Sequence, residues 1–204
     1  MNFRATATPE EMFYFAAGLV VTLCTFLILL AVLIDFVEFR ARGGVKRERK
    51  SVVATGTMML FFFGFYAVIR FGAGRVHLPF SPLKAALITA GALLVAAGCA
   101  VNIKGRFDLG KNWSDQIKIY GDHAFITGGT YRLVRHPLYA SLIWMFLGAS
   151  LIYANWLAFL ANALVFVPFM RHRALLEEEL LAKEFPGYRD YQAGVGMFFP
   201  KFNS

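Results

Sequence analysis

Between Met12 and about Phe36 the chain is almost unbrokenly apolar, and this run constrains the fold more than any other feature. At about 1.5 Å per helical residue it can cross the roughly 30 Å of hydrocarbon in a bilayer. It is too long for a signal peptide and carries no small-residue cleavage site, so it is predicted to remain as a membrane span. Val52 to Ile69 and Leu83 to about Ile103 are two further runs of this kind. With 58% of its 204 residues apolar and a positive mean hydropathy, the chain is predicted to be an integral membrane protein.

The net charge of +8 does not point to nucleic acid. The basic residues gather at the ends of the apolar runs, where the positive-inside bias and anionic headgroups account for them. Membrane lipids, not nucleic acid, are the expected partners. Cys24 and Cys99 lie inside apolar runs and are expected as packing residues, with no disulfide framework and no metal site.

Arg40 to Lys50 carries six lysines and arginines against one glutamate. So short and basic a loop belongs on the cytoplasmic side, which puts the N-terminus outside. The second span ends at Arg70 before a Gly/Pro-punctuated outside loop, Gly72 to Pro82, and the third returns to the cytoplasm at Lys104 and Arg106. Gly91 and Gly98, seven apart in that third span, share a helix face where a neighbouring backbone can come close. Leu138 to Pro168 is about 31 residues of apolar sequence, too long for one straight span. The Tyr153-Ala154-Asn155-Trp156 break at its centre suits an interfacial turn, so a hairpin of two short helices is predicted.

The expected architecture is a single all-α domain over 1–204, a polytopic membrane bundle of about five transmembrane helices. Three spans occupy 1–103, and 104–204 holds the hairpin, a cytosolic C-terminal cap and the chemistry. Leu175, Leu176, Leu180, Leu181 and Phe185 recur at helical spacing. The tail from Arg171 is therefore predicted to form an amphipathic helix lying against the membrane or the other cytosolic segment.

Lys104 to His136 is the longest polar stretch, and its glycines predict turns. It closes on Thr130 to Tyr139, which crowds two arginines, a histidine and two tyrosines against the hairpin. Pro137 suits the first turn of a helix. Arg135, His136 and Tyr139 fit interfacial anchoring, and the free N–H groups of such a helix start also suit an anion, for example a carboxylate. Arg173 and Glu177 share a face of the tail helix, as an ordinary i,i+4 pair or as a site in which Glu177 takes an ammonium and Arg173 an anionic partner beside it. His123, considered alone, is a structural histidine near glycines. No strand–glycine turn–helix context supports a dinucleotide site, and no Ser-His-Asp or Cys-His set supports a hydrolase.

His123-Ala124-Phe125-Ile126-Thr127, Tyr131, Arg135-His136-Pro137-Leu138-Tyr139, Arg173 with Glu177-Glu178, and then Phe185, Tyr188, Tyr191 and Pro200 together resemble the isoprenylcysteine carboxyl methyltransferase family, in the compact form of a prokaryotic, archaeal homologue. The resemblance spans roughly Gln116 to Pro200. It implies an S-adenosylmethionine-dependent membrane methyltransferase that releases S-adenosylhomocysteine. By position it places Gln116, His123, Ala124, Phe125, Ile126, Tyr131, His136, Pro137, Leu138, Tyr139 and Glu177 around the cofactor, entering from the cytosol, and Arg173 at the methyl acceptor as the catalytic and substrate-binding residue. The family has glycine two residues after the motif tyrosine, where this chain has Ser141.

A sulfonium methyl is already activated, so the protein must mainly align the acceptor and exclude water. A carboxylate acceptor needs only orientation, whereas an amine must lose a proton to a general base. The expected substrate is a lipophilic or lipidated molecule, and the expected state a monomer. Phospholipid amine N-methylation has a similar C-terminal pattern. A sterol-reductase-like NADPH enzyme and a small transporter or lipid-binding scaffold are the remaining alternatives. A transporter fits poorly with so few ionisable groups at mid-span.

Overall fold

The computed structural model describes residues 7–39, 45–49, 52–112, 117–120 and 124–201. Helix α1 spans Pro9–Phe39. It starts on a capping box: the Glu11 backbone N–H donates to Thr8 Oγ1 at 3.3 Å while the Thr8 N–H donates to Glu11 Oε2 at 2.7 Å, which satisfies two donors that a helix start leaves open. Helix α2 spans Val52–Phe71. Helix α3, Pro82–Leu109, is capped by Ser81, with proline at its first position. Among these helices α1 and α3 are long and apolar enough to cross a membrane, as is the continuous helix Trp156–Glu184; Gly56–Phe71 and Pro137–Ile152 are shorter apolar helices. The chain is a mostly helical, integral membrane protein.

The predicted hairpin is present. Helix α4 covers Pro137–Ile152 and α5 begins at Trp156, with the Asn155 side chain accepting from the Ala158 N–H. The second arm differs from the expectation. After α5 (Trp156–Ala161) a π-helical turn, Asn162–Phe166, leads without a break into α6, Val167–Glu184. The tail residues expected in a separate amphipathic helix are thus the far end of the hairpin's second arm, because the π turn absorbs one extra residue without breaking the helix. Phe185-Pro186-Gly187 ends it, and a short α7 follows over Tyr188–Gly194.

Two more expectations are corrected. Helix α3 runs on past Ile103, so Lys104, Arg106 and Asp108 belong to a helix. The all-α expectation also misses a small antiparallel ribbon in which β1, Val45–Arg49, pairs with β2, Ile117–Tyr120. The basic loop and the polar stretch after α3 therefore lie at the same end of the bundle, as their charge suggested.

Helices α3 and α4 pack antiparallel through small residues. A methyl group on Gly91 would lie 2.5 Å from the Gly148 carbonyl oxygen, one on Gly98 would lie 2.8 Å from the Ser141 carbonyl oxygen, and Gly105 faces Pro137 and Leu138. Close approach at Ser141 is thus provided from the opposite helix, by Gly98. The Ser141 hydroxyl is fully used, donating to the Leu138 carbonyl and accepting from Asn102 Nδ2, both at 2.8 Å. Helix α1 lies parallel to α3 and is tied to it at both ends, by Glu10–Lys84 at 2.6 Å and by Asp35–Arg106. Free Cys24 and Cys99 pack between them, both buried. The phenylalanines of α2 seat it on the hairpin, with Phe61 stacked on Phe166 at 4.7 Å.

Candidate cofactor and acceptor site

The Thr130–Tyr139 stretch is held from three sides. From α3, Asp108 accepts from both the backbone N–H and the hydroxyl of Thr130, at 2.7 and 2.8 Å. Its carboxylate occupies the space a side chain at Gly129 would need, and Gly129 adopts φ 59 there, a conformation that favours glycine. From the C-terminus, the chain after α7 runs alongside in a parallel bridge, so that the Arg135 N–H donates to the Gly196 carbonyl at 2.8 Å and the His136 N–H to the Met197 carbonyl at 3.2 Å. The Tyr191 hydroxyl donates to the Tyr131 carbonyl at 2.5 Å. Phe125 packs on Phe185, Tyr188 and Tyr191, with centroids 5.4–5.6 Å apart.

The third side is α6, where two adjacent carboxylates behave differently. Glu178 is buried and accepts on one oxygen from Arg135 Nε at 2.8 Å, with His136 Nε2 3.0 Å away, and on the other from Gln192 Nε2 at 2.6 Å. Arg135 also donates to the carbonyls of Gln192 and Val195. Glu177 is about one-third exposed, and its closest charged neighbour is His136 Nδ1 at 3.6 Å. Tyr139, stacked on His136 at 5.5 Å with the rings 6° from parallel, lies in electrostatic contact with both Glu177 and Arg173. Arg173 is 8% exposed, and its Nε is buried without a hydrogen-bond partner.

These neighbours set the protonation of the groups around the motif. Burial alone would push the His136 imidazole down, but Glu177 and Glu178 outweigh it and hold the ring above its usual value. The Tyr131 phenol is held well above its usual value by burial and then by the Glu177 carboxylate. Tyr191 is pushed up to about 12, again chiefly by burial. The phenols are therefore neutral donors at ordinary pH.

The structure brings His136, Tyr139, Arg173 and Glu177 together, with the Tyr131 phenol within electrostatic reach of Glu177 and Tyr139. Pro137 and Leu138 pack against Gly105 of α3; the first-turn N–H groups of Leu138 and Tyr139 have no carbonyl one turn earlier within α4. Ala124 donates its N–H to Asn112 Oδ1 at 2.9 Å, and Phe125 belongs to the aromatic cluster with Ile126 beside it. Gln116 and His123 lie outside the described residues.

Gln192 escaped the sequence analysis, as did the pairing of Arg135 with Glu178: both meet that carboxylate from more than a dozen positions away, which no local spacing reveals. Asn102 had a signal: it is a polar residue deep in an apolar run, and such residues are functional or structural nodes by default. It joins Ser141 and the Leu138 carbonyl to Arg106, which in turn pairs with Asp35.

The family model described as phospholipid methyltransferase matches residues 86–187, half the chain, including most of α3, the motif and both glutamates. The chain belongs to the phospholipid methyltransferase family. No curated protein sequence matches it. In fold this family member is similar to the eukaryotic intramembrane Ras methyltransferase ICMT (isoprenylcysteine carboxyl methyltransferase), solved without a monobody. The two are 22% identical over 96% of this chain and 69% of that one, with a TM-score of 0.61. The resemblance drawn from the motif residues is thus borne out: the chain belongs to a family of membrane methyltransferases and shares the fold of that enzyme.

Proposed function

We propose that this family member transfers a methyl group from S-adenosylmethionine to a lipophilic, anionic acceptor at the membrane. The observation that carries the proposal is the pairing of a carboxylate the protein has not consumed, Glu177, with a buried arginine whose Nε has no partner. The donor set suits the cofactor. Glu177 would take its ammonium, the first-turn N–H groups of α4 its carboxylate, and the aromatic residues flanking the motif would exclude water. When bound, the cofactor supplies a methyl on a positively charged sulfur. Arg173, next to Glu177 on α6, would orient the acceptor through charge-assisted hydrogen bonds.

An anionic acceptor is favoured by His136. Its Nε2 is engaged by the buried Glu178 at 3.0 Å, and the two neighbouring carboxylates hold the ring toward its protonated form, so the histidine at the centre of the motif is poorly suited to be the base an amine would need. Phospholipid amine methylation is the second reading, favoured by the description of the matching family. The full topology belongs to the same proposal: five spans, with the N-terminus outside and the site facing the cytosol as a monomer's C-terminal cap.

Calorimetry of folded protein in detergent is expected to show binding of S-adenosylmethionine and S-adenosylhomocysteine; no binding of either would overturn the assignment. Radiolabelled methyl transfer into a lipid extract separates the two acceptors. Label released as methanol by alkali marks a carboxyl ester, and alkali-stable label marks an amine.

A further inference from the structure

The end of the bundle away from the motif carries a second cluster of charge that methyl transfer does not use. The ion pairs Glu10–Lys84 and Asp35–Arg106 tie α1 to α3 at opposite ends. Along α3 they are separated by roughly 33 Å at 1.5 Å per residue, close to the hydrocarbon thickness of a bilayer. Lys84 therefore sits at the level of lipid headgroups on the far face.

A cavity of about 500 Å³ opens there, lined by Glu10, Arg75, His77 and Lys84 among others. Lys84 Nζ donates to Glu10 Oε1 and to the Leu78 carbonyl, each at 2.6 Å, which leaves one of its three donors. Arg75 and Lys84 both approach the Tyr14 ring, at 5.7 and 5.6 Å from its centroid. Two cations thus approach one ring, Glu10 pairs with Lys84, and no acidic partner of Arg75 is present among the described residues. The excess is one positive charge at a cavity mouth. Next to lining residues in the chain, Phe13 lies one turn along α1 from Glu10 with its ring centroid 5.9 Å from that of Phe80, and Phe13, Phe80 and Leu83 are all exposed.

We infer that this cavity binds the phosphodiester headgroup of an anionic phospholipid from the far leaflet, with Arg75 and Lys84 on the phosphate and the Phe13–Phe80–Leu83 shelf along an acyl chain. Inorganic phosphate shares the headgroup chemistry, but it would have no use for an apolar shelf beside the cations. The loop holding Arg75 is tied to the hairpin turn. Asn155 Nδ2 donates to the Ala73 carbonyl at 2.9 Å, and the Trp156 N–H donates to the Gly74 carbonyl at 3.1 Å, so the hairpin turn fixes one wall.

The test uses the full chain in a neutral detergent, titrated with dioctanoyl phosphatidylglycerol, dioctanoyl phosphatidylcholine or inorganic phosphate, with binding read by calorimetry. Wild type is expected to bind the anionic lipid in preference to the zwitterionic one, weakening as salt is added. Arg75→Gln should lower affinity roughly tenfold, the loss of one charge-assisted hydrogen bond, and Arg75→Lys should restore most of it. Methyl transfer should be unchanged in Arg75→Gln, so failure here is separable from failure of the proposed activity. If Arg75→Gln does not fold, Val76→Glu, on the exposed rim, serves instead by repelling the headgroup. Wild-type affinity in the folded variant, equal binding of both lipids, or displacement of lipid by millimolar phosphate would each overturn the inference.

Discussion

Two faces of α6, one residue apart, are used in opposite ways. On the Glu178 face every charged group is consumed by the protein: the carboxylate meets Arg135, His136 and Gln192, and Arg135 also meets two tail carbonyls. On the Glu177 face the groups are brought near one another but left short of partners. Glu177 stands 3.6 Å from His136, and Arg173 Nε has no hydrogen bond. A buried charge with incomplete partners is costly, as for Arg173, so the first face holds the fold together and the second is the one to which the proposed function assigns the ligands.

The harshest way to break this contrast is Glu178→Ala. It strands a buried arginine and histidine, which costs about 3–5 kcal/mol, or roughly 6–20 °C in melting temperature for a chain of this size. Scanning fluorimetry in detergent reads it, and a melting point within a degree or two of wild type would erase the distinction between the faces. Glu177→Ala should leave the melting temperature nearly unchanged while weakening S-adenosylmethionine about ten- to a hundredfold, since a charged hydrogen bond contributes roughly 1.5–3 kcal/mol. Arg173→Ala should spare cofactor affinity and lower turnover by about tenfold or more. Equal loss of cofactor affinity in the Glu177 and Arg173 variants would reject the division of roles within that face.

The smallest effect is one of pH. His136 has its folded value raised above the unfolded one, so its contribution to stability is fully present below the unfolded value near 6.5 and is lost as pH climbs through the higher folded value. The melting temperature should therefore decline across that window, and the decline should flatten in His136→Gln. An identical slope in that variant would assign it to another group.

Much of this was legible in the chain. The hairpin break at Asn155 and the approach at Gly91 and Gly98 follow from single residues whose physics has few alternatives: an Asn-Trp pair between apolar runs, and glycines one heptad apart. Arg173 and Glu177 were legible as a pair because helical spacing alone puts them together. What stayed hidden depends on segments distant in sequence. Glu178 and Gln192 find each other only after α6 has turned into α7. The β1–β2 ribbon joins two polar stretches that each look like loops, and Asp35 meets Arg106 across two helices. The tail helix was misplaced for a different reason, since hydropathy sees the fading of apolar residues after Pro168 but not that the helix continues through it.

The π turn at Asn162–Phe166 also sets the phase of everything beyond it. Each residue of an α-helix turns the next by about 100°, so one extra residue absorbed there rotates α6 by more than a quarter turn relative to the hairpin arm that carries it. Removing a single residue from that turn would barely change composition, hydropathy or helical content, yet swing Arg173 and Glu177 away from the motif. The register of the site is thus stored about two turns upstream of its residues, in a place with no chemistry of its own.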